Sequence, residues 1–140
     1  MLHGISVSGG GYIAKLNNCC SAGLLKYISG NGHNMCGIIA GSACTFKSCY
    51  YLDGVAGTTG LLPRANEILF YQTSNNPEDM TTLRVVAALN NYIELKGVLQ
   101  QGDTEIDTKG WCKWIVGSNN LPALDFNTEW NGTQWITMTN

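Results

Sequence analysis

The sequence predicts a single α+β domain over residues 1–140 that is dominated by an antiparallel sheet. Near the C-terminus, an Asn-Gly pair between two alternating segments predicts a β-hairpin over residues 126–139. One amphipathic stretch predicts a main helix at about residues 77–91. The other apolar segments are short, rich in branched or aromatic side chains, and separated by glycine and asparagine, which is typical of strands.

The first thirty residues contain one strand signal and one ambiguous segment. Ile5 and Val7 alternate with polar residues as in a strand, and the three glycines at 9–11 end that segment. Apolar residues in the stretch 12–28 recur at helical spacing, but Gly23 weakens a helix there, so helix and strand both remain open. The sequence shows no internal repeat.

Three further strands are predicted between the Gly30-Asn31-Gly32 turn and the helix. They cover residues 35–40, 44–52 and 67–72, which are short apolar or aromatic runs ended by turn residues. Residues 54–60 between the last two are expected to form a loop.

The helix has start signals and one apolar stripe. Asn76 is a capping residue type, and Pro77 is favoured at the first helical position. The stripe that we expect to face the core follows the i, i+3 and i+4 spacing of a helix. Its members are Leu83, Val86, Leu89 and Ile93.

The chain after Val98 is predicted to be β-structure again, with a strand at residues 111–116 between two glycines. In the terminal hairpin, a two-residue type I′ turn at Asn131-Gly132 requires positive φ at both residues and fixes the register. The predicted cross-strand pairs are Trp130 with Thr133, Thr128 with Trp135, and Phe126 with Thr137.

This register has a consequence for the hairpin's two faces. It places Phe126, Trp130 and Trp135 on one face as an aromatic packing cluster, which we expect to lie against the core. The opposite face is mixed, and we expect it to meet a neighbouring subunit through Ile136 and Met138. The polar members of that face are Asp125, Asn127, Glu129 and Gln134.

Composition excludes several classes of function. Apolar residues make up 44% of the chain, so it is not disordered by composition, whereas charged residues make up only 13%. The net charge is −2, and the lysines and arginines are scattered singly. We therefore expect no nucleic-acid partner and no membrane binding, since both require clustered cations.

The six cysteines bear on compartment and on metal binding. The N-terminus lacks the features of a signal peptide, so we expect either a protein made and kept in a cytoplasm or one that has been trimmed. We expect its cysteines to be mostly unpaired thiols. His33, Cys36, Cys44 and Cys49 are zinc-ligand types, but their spacing matches no standard finger. We therefore expect no metal and no cofactor.

Other candidate sites favour structural interpretations. Neither His3 nor His33 marks a cysteine as an activated nucleophile, and the three glycines at 9–11 match no phosphate-binding loop. Asp103, Glu105 and Asp107 alternate along the chain without the other ligands of a calcium loop. The sequence therefore predicts no enzyme. A sugar-stacking role remains an alternative to packing for the four tryptophans, Trp111, Trp114, Trp130 and Trp135.

The segment Thr128–Trp135, with its W-N-G-x-x-W pattern in a charge-poor setting rich in glycine, asparagine and threonine, resembles bacteriophage structural proteins. Tail-fibre ends and small head-decoration proteins often carry such a hairpin. The resemblance covers this hairpin and the composition, and it assigns no functional residue.

The resemblance implies a non-enzymatic structural subunit of a phage particle, of the head-decoration or cement type. Such a subunit would be made in the host cytoplasm and reside in the virion. Its partners would be copies of itself and another capsid or tail protein. One alternative is a carbohydrate- or receptor-binding tail-fibre tip, with a glycan as ligand. Another is the ectodomain of a pilin-like filament at the cell surface.

Overall fold

The computed structural model describes residues 2–3, 14–22, 35–36, 44–52, 69–72 and 79–139. They belong to two compact units, Met1–Thr81 and Thr82–Asn140. The fold class is α+β and β-dominated, with an antiparallel three-stranded arrangement, a main helix and a C-terminal hairpin, as the sequence predicts. The single domain over residues 1–140 stays a prediction. Among the described residues, no helix combines the length and apolar composition that a membrane crossing requires.

The described part of the first unit consists of strands. Their bounds are β1 Leu2–His3, β2 Ala14–Ser21, β3 Met35–Cys36, β4 Cys44–Leu52, β5 Leu69–Gln72 and β6 Asp79–Thr81. β1 and β3 form a two-stranded parallel sheet, and the other four form a sheet in the order β2-β4-β5-β6. β2 pairs with β4 in parallel, whereas β4, β5 and β6 pair antiparallel.

The two parallel pairs each join segments that lie about thirty residues apart in sequence, and the expected absence of an internal repeat stays a prediction. Leu2 lies beside Met35, 33 residues on, and Ala14 lies beside Cys44, 30 residues on. The two offsets differ by three residues because ten residues separate β1 from β2, whereas seven separate β3 from β4. Among the described register pairs of these strands, Cys19 with Cys49 is the only pair of identical residues.

Several strand predictions for this unit are confirmed. β4 has the predicted bounds, and β5 falls within the predicted run 67–72. The ambiguous stretch 12–28 contains strand β2, because pairing with β4 outweighs its helical spacing. Only Met35–Cys36 of the predicted strand at 35–40 lies in the described part of the chain. The strand at Ile5 and Val7 and the predicted loop at 54–60 lie outside it.

The helix, α1, spans Thr82–Glu94 rather than 77–91. It cannot begin earlier because Asp79–Thr81 form β6 and pair with β5. The capping residues Asn76 and Pro77 lie outside the described residues. Val86, Leu89 and Ile93 are buried as predicted, together with Val85 and Tyr92.

The predicted core position of Leu83 is wrong, since its side chain is 70% exposed. The buried stripe of α1 centres on the direction shared by Val85, Val86 and Leu89. At about 100° per residue, Leu83 lies roughly 120° away from that direction and therefore faces solvent.

A Schellman motif ends the helix. Lys96 is left-handed at φ 52°, its amide bonds to Ile93 O, and the Gly97 amide bonds to Tyr92 O at 2.8 Å. The Thr108 hydroxyl also donates to Ile93 O at 2.8 Å. The segment 98–111, predicted as β, forms turns and irregular backbone instead.

The second unit also contains the strands β7 Cys112–Val116, β8 Pro122–Trp130 and β9 Trp135–Thr137. They form a three-stranded antiparallel sheet in the order β7-β8-β9. β7 confirms the predicted strand at 111–116 to within one residue. β8 and β9 form the predicted terminal hairpin.

The predicted register of this hairpin is wrong. Trp130 pairs with Trp135, Glu129 with Ile136, and Thr128 with Thr137, so the loop has four residues rather than two. Only Gly132 of the Asn-Gly pair has positive φ, at 101°. Asn131 instead uses its side chain, whose Oδ1 accepts the amides of residues 133 and 134 at 2.9 Å each. This local bonding replaces the type I′ turn.

Candidate functional site

A bulge of three residues in β8 decides which residues share a face of the C-terminal sheet. Cys112 pairs with Glu129, but the next residue, Lys113, pairs with Asp125, so residues 126–128 have no counterpart on β7. The Asp125 carboxylate accepts the Asn127 amide at 3.0 Å and the Thr128 hydroxyl at 2.7 Å. These bonds hold the pKa of Asp125 below its usual value. The bulge therefore moves Asp125 to the face opposite Glu129, which corrects its predicted place.

The face on the helix side carries the paired tryptophans. The Trp130 and Trp135 rings lie 5.2 Å apart between centroids at 59°. The Trp135 indole nitrogen donates to Glu94 Oε1 at 2.7 Å, and Lys113 Nζ lies 5.7 Å from the centre of the Trp135 ring. Phe126 is not brought to them, because it lies in the bulge and its side chain is 69% exposed.

The opposite face, here called the outer face, is largely apolar and only partly covered. Directly paired residues of antiparallel strands project to the same side, which sets its membership. Val116 and Leu124 are each 39% exposed, Met138 is 37% exposed, and Ile136 is half-buried. The outer face thus contains the predicted assembly residues Ile136 and Met138. Its members are Cys112, Trp114, Val116, Pro122, Leu124, Glu129, Ile136 and Met138.

A cleft of about 320 Å³ lies beside the hairpin, here called the hairpin cleft. Its charged groups are two lysines and two carboxylates, and Lys96 Nζ lies 3.6 Å from Glu105 Oε2. Trp130 also lines the cleft, and its buried indole nitrogen has no hydrogen-bond partner among the residues that the structure describes. The lining offers donors, acceptors and an aromatic residue to a polar ligand. The lining residues are Lys96, Glu105, Ile106, Asp107, Thr108, Lys109, Trp130 and Gly132.

The three alternating acidic residues, Asp103, Glu105 and Asp107, each have their own partners and do not form one site. Asp103 Oδ2 accepts the amides of Leu99 and Gln100 at 3.2 Å each, and Asp107 Oδ1 accepts the Lys109 amide at 3.0 Å. Within the described ranges, no three His, Cys, Asp or Glu residues group as metal ligands. Local hydrogen bonding and the ion pair of Glu105 account for these positions.

The structure forms no disulfide among the cysteines whose side chains it describes, which are Cys19, Cys20, Cys49 and Cys112. Among the zinc candidates, only Cys49 has a described side chain, since His33 and the side chains of Cys36 and Cys44 lie outside the described part. The same limit applies to the side chain of His3. Cys49 is completely buried and lies beside Cys19 in the parallel register.

Sequence reasoning missed two of these features. The pairing of Cys19 with Cys49 carries one faint signal, a cysteine repeated 30 residues later. The hairpin cleft carries none, because Lys96, Lys109 and Trp130 meet only after the helix end and the hairpin have folded.

The fold and these surfaces define a β-dominated α+β protein with an apolar sheet face and a polar cleft. No protein-family model, curated protein or solved structure matches the chain.

Proposed function

We propose that this protein is a non-enzymatic structural subunit of a viral, phage-type particle, of the head-decoration or cement kind. It associates with copies of itself and docks on a capsid or tail protein through the outer face. The protein is made in the host cytoplasm and resides in the virion. The observation that carries the proposal is the outer face itself.

The physical case rests on apolar area and the scarcity of charge. Val116, Leu124, Ile136 and Met138 keep apolar surface in contact with water, and burying it is favourable at about 25 cal/mol per Å². Glu129 is the only charged residue of the outer face. Depletion of charge is typical of the centre of a protein interface.

The test compares self-association of matched variants by sedimentation velocity over a range of protein concentrations. Wild type is expected to form oligomers. Met138→Asp and Ile136→Asp are expected to stay monomeric with an unchanged circular dichroism spectrum, because a buried unpaired carboxylate opposes association. Ile115→Asp is the control, since Ile115 is 38% exposed and lies on the helix-side face. Wild type that remains monomeric, or Asp variants that associate normally, would contradict the proposal.

The hairpin cleft favours a second candidate function, binding of a glycan as at a receptor-binding fibre tip. Its carboxylates, ammonium groups and Thr108 hydroxyl match the mixed donors and acceptors of a saccharide. Under this candidate, neutral oligosaccharides shift the NMR signals of Thr108 and Lys109, and Asp107→Ala abolishes the shifts. Met138→Asp leaves them unchanged, so the two candidates are distinguishable.

A further inference from the structure

The parallel pair β2 and β4 places two thiols side by side. Cys19 and Cys49 are direct partners in the register, and neighbouring strands lie about 4.8 Å apart. Disulfides are formed by cysteines whose Cα atoms are about 4.4–6.8 Å apart, so this pair is within reach of a bond. Cys20 projects to the other side of the sheet, because adjacent residues of a strand alternate.

The backbone holds Cys19 and Cys49 opposite each other in the register of β2 and β4. The residues before them, Asn18 and Ser48, are both left-handed, with φ values of 55° and 50°. The Ser48 hydroxyl donates to Asn18 Oδ1 at 3.4 Å, and both side chains are buried. The two strands therefore share one irregularity, and the register resumes with Cys19 beside Cys49.

We propose that Cys19 and Cys49 are a redox-active dithiol that a low-molecular-weight disulfide oxidises to an interstrand disulfide between β2 and β4. Cys19 is the attacking thiol because it is only half-buried. Cys49 is the resolving thiol because it is completely buried. This proposal is independent of the proposed function.

The chemistry is thiol–disulfide exchange in two steps. The Cys19 thiolate attacks one sulfur of the reagent disulfide, forming a mixed disulfide and releasing the reagent's first thiolate. Cys49 then loses its proton, attacks the Cys19 sulfur and expels the second thiolate. The two cysteines lose two electrons and two protons, and the reagent disulfide is reduced to two thiols.

The pKa values of the neighbouring thiols support the same assignment of attacking and resolving thiol as their burial does. A hydrogen bond from the Cys49 thiol lowers the pKa of Cys19 to about 7. The same interaction and burial raise the pKa of Cys49, which keeps its proton until the mixed disulfide has formed. Burial, followed by the charge of Cys19, raises the pKa of Cys20 to about 12, so Cys20 is a poor nucleophile near neutral pH.

The experiment treats the folded, fully reduced chain with oxidised glutathione, then counts thiols in denaturant and maps linked peptides by mass spectrometry. Wild type is expected to fall from six thiols to four, with one Cys19–Cys49 link. The rate should rise with pH through about 7, where the Cys19 thiolate forms. In urea, where the register is lost, the same reagent should give mixed products.

Matched variants complete the test. Cys20→Ser and Cys112→Ser should form the Cys19–Cys49 link as wild type does. Cys19→Ser should not form it, and neither should Cys49→Ala, with circular dichroism confirming the fold. If Cys49→Ala fails to fold, Cys19→Ser and the wild-type peptide map decide. A persistent glutathione adduct on Cys19, a link through another cysteine, or six remaining thiols would overturn the proposal.

Discussion

The side chain of Asn90 bonds to both backbone polar groups of Trp114. Asn90 Oδ1 accepts the Trp114 amide, and Asn90 Nδ2 donates to the Trp114 carbonyl, each at 2.8 Å. β7 is an edge strand of its sheet, and its free edge is satisfied at this point by a helix side chain. One residue of α1 therefore acts as a short additional strand.

Removing this bond should destabilise the second unit. Asn90→Ala leaves a partly buried amide and carbonyl without these partners, and we expect a loss of about 2 kcal/mol in the free energy of unfolding. Urea denaturation measures it. Asn91→Ala is the control, because Asn91 is exposed on the same helix and shares the gain in helix propensity. Equal stability of the two variants would contradict the assignment.

Two glycines with positive φ should differ in their tolerance of alanine. A Cβ at Gly97 would lie 2.9 Å from both Ile106 Cγ1 and the Tyr92 hydroxyl oxygen, whereas one at Gly102 meets nothing within 4 Å. Gly102→Ala bears only backbone strain, about 1 kcal/mol. Gly97→Ala adds overpacking and should cost about 2–4 kcal/mol. Thermal denaturation of both variants makes the comparison, and a Gly102 variant that is the less stable of the two would refute it.

The loss of stability on removing an aromatic side chain of the hairpin should depend on how deeply that side chain is buried. Trp130→Ala should cost about 3–5 kcal/mol, since Trp130 is buried against Trp135. Phe126→Ala should change stability by less than about 0.5 kcal/mol because the side chain is largely exposed. Chemical denaturation tests both, and a large loss from Phe126→Ala would restore the predicted three-residue cluster.

The lowered pKa of Asp125 predicts how its contribution to stability changes at acid pH. Because its folded pKa is depressed below the ordinary 3.8, its contribution to stability is present above about pH 3.8. That contribution is lost as the pH falls through the folded pKa. NMR titration should place the Asp125 midpoint below 3.8. Thr128→Val, which removes the largest cause, should move the midpoint upward. An unchanged midpoint would exclude the Thr128 hydroxyl as that cause.

How much of the fold the sequence predicted depends on how local the signal was. Strands β4 and β7 were recognised because alternation, side-chain type and flanking turn residues lie within a few positions of each other. Val86, Leu89 and Ile93 were recognised as core because helical periodicity is also local. Of the predicted site residues, Ile136 and Met138 do share one face, but the pairing of Trp130 with Trp135 required a different register.

The sequence by itself determined a β-dominated α+β chain, one amphipathic helix and a C-terminal hairpin. Only the tertiary structure decided where that helix begins, because Asp79–Thr81 are held extended by β5. It also decided the faces of the last sheet through the bulge after Asp125, and the meeting of Cys19 with Cys49. The physical reason is common to all three. A strand's register and its faces depend on a partner that is distant in sequence, and no local pattern specifies that partner.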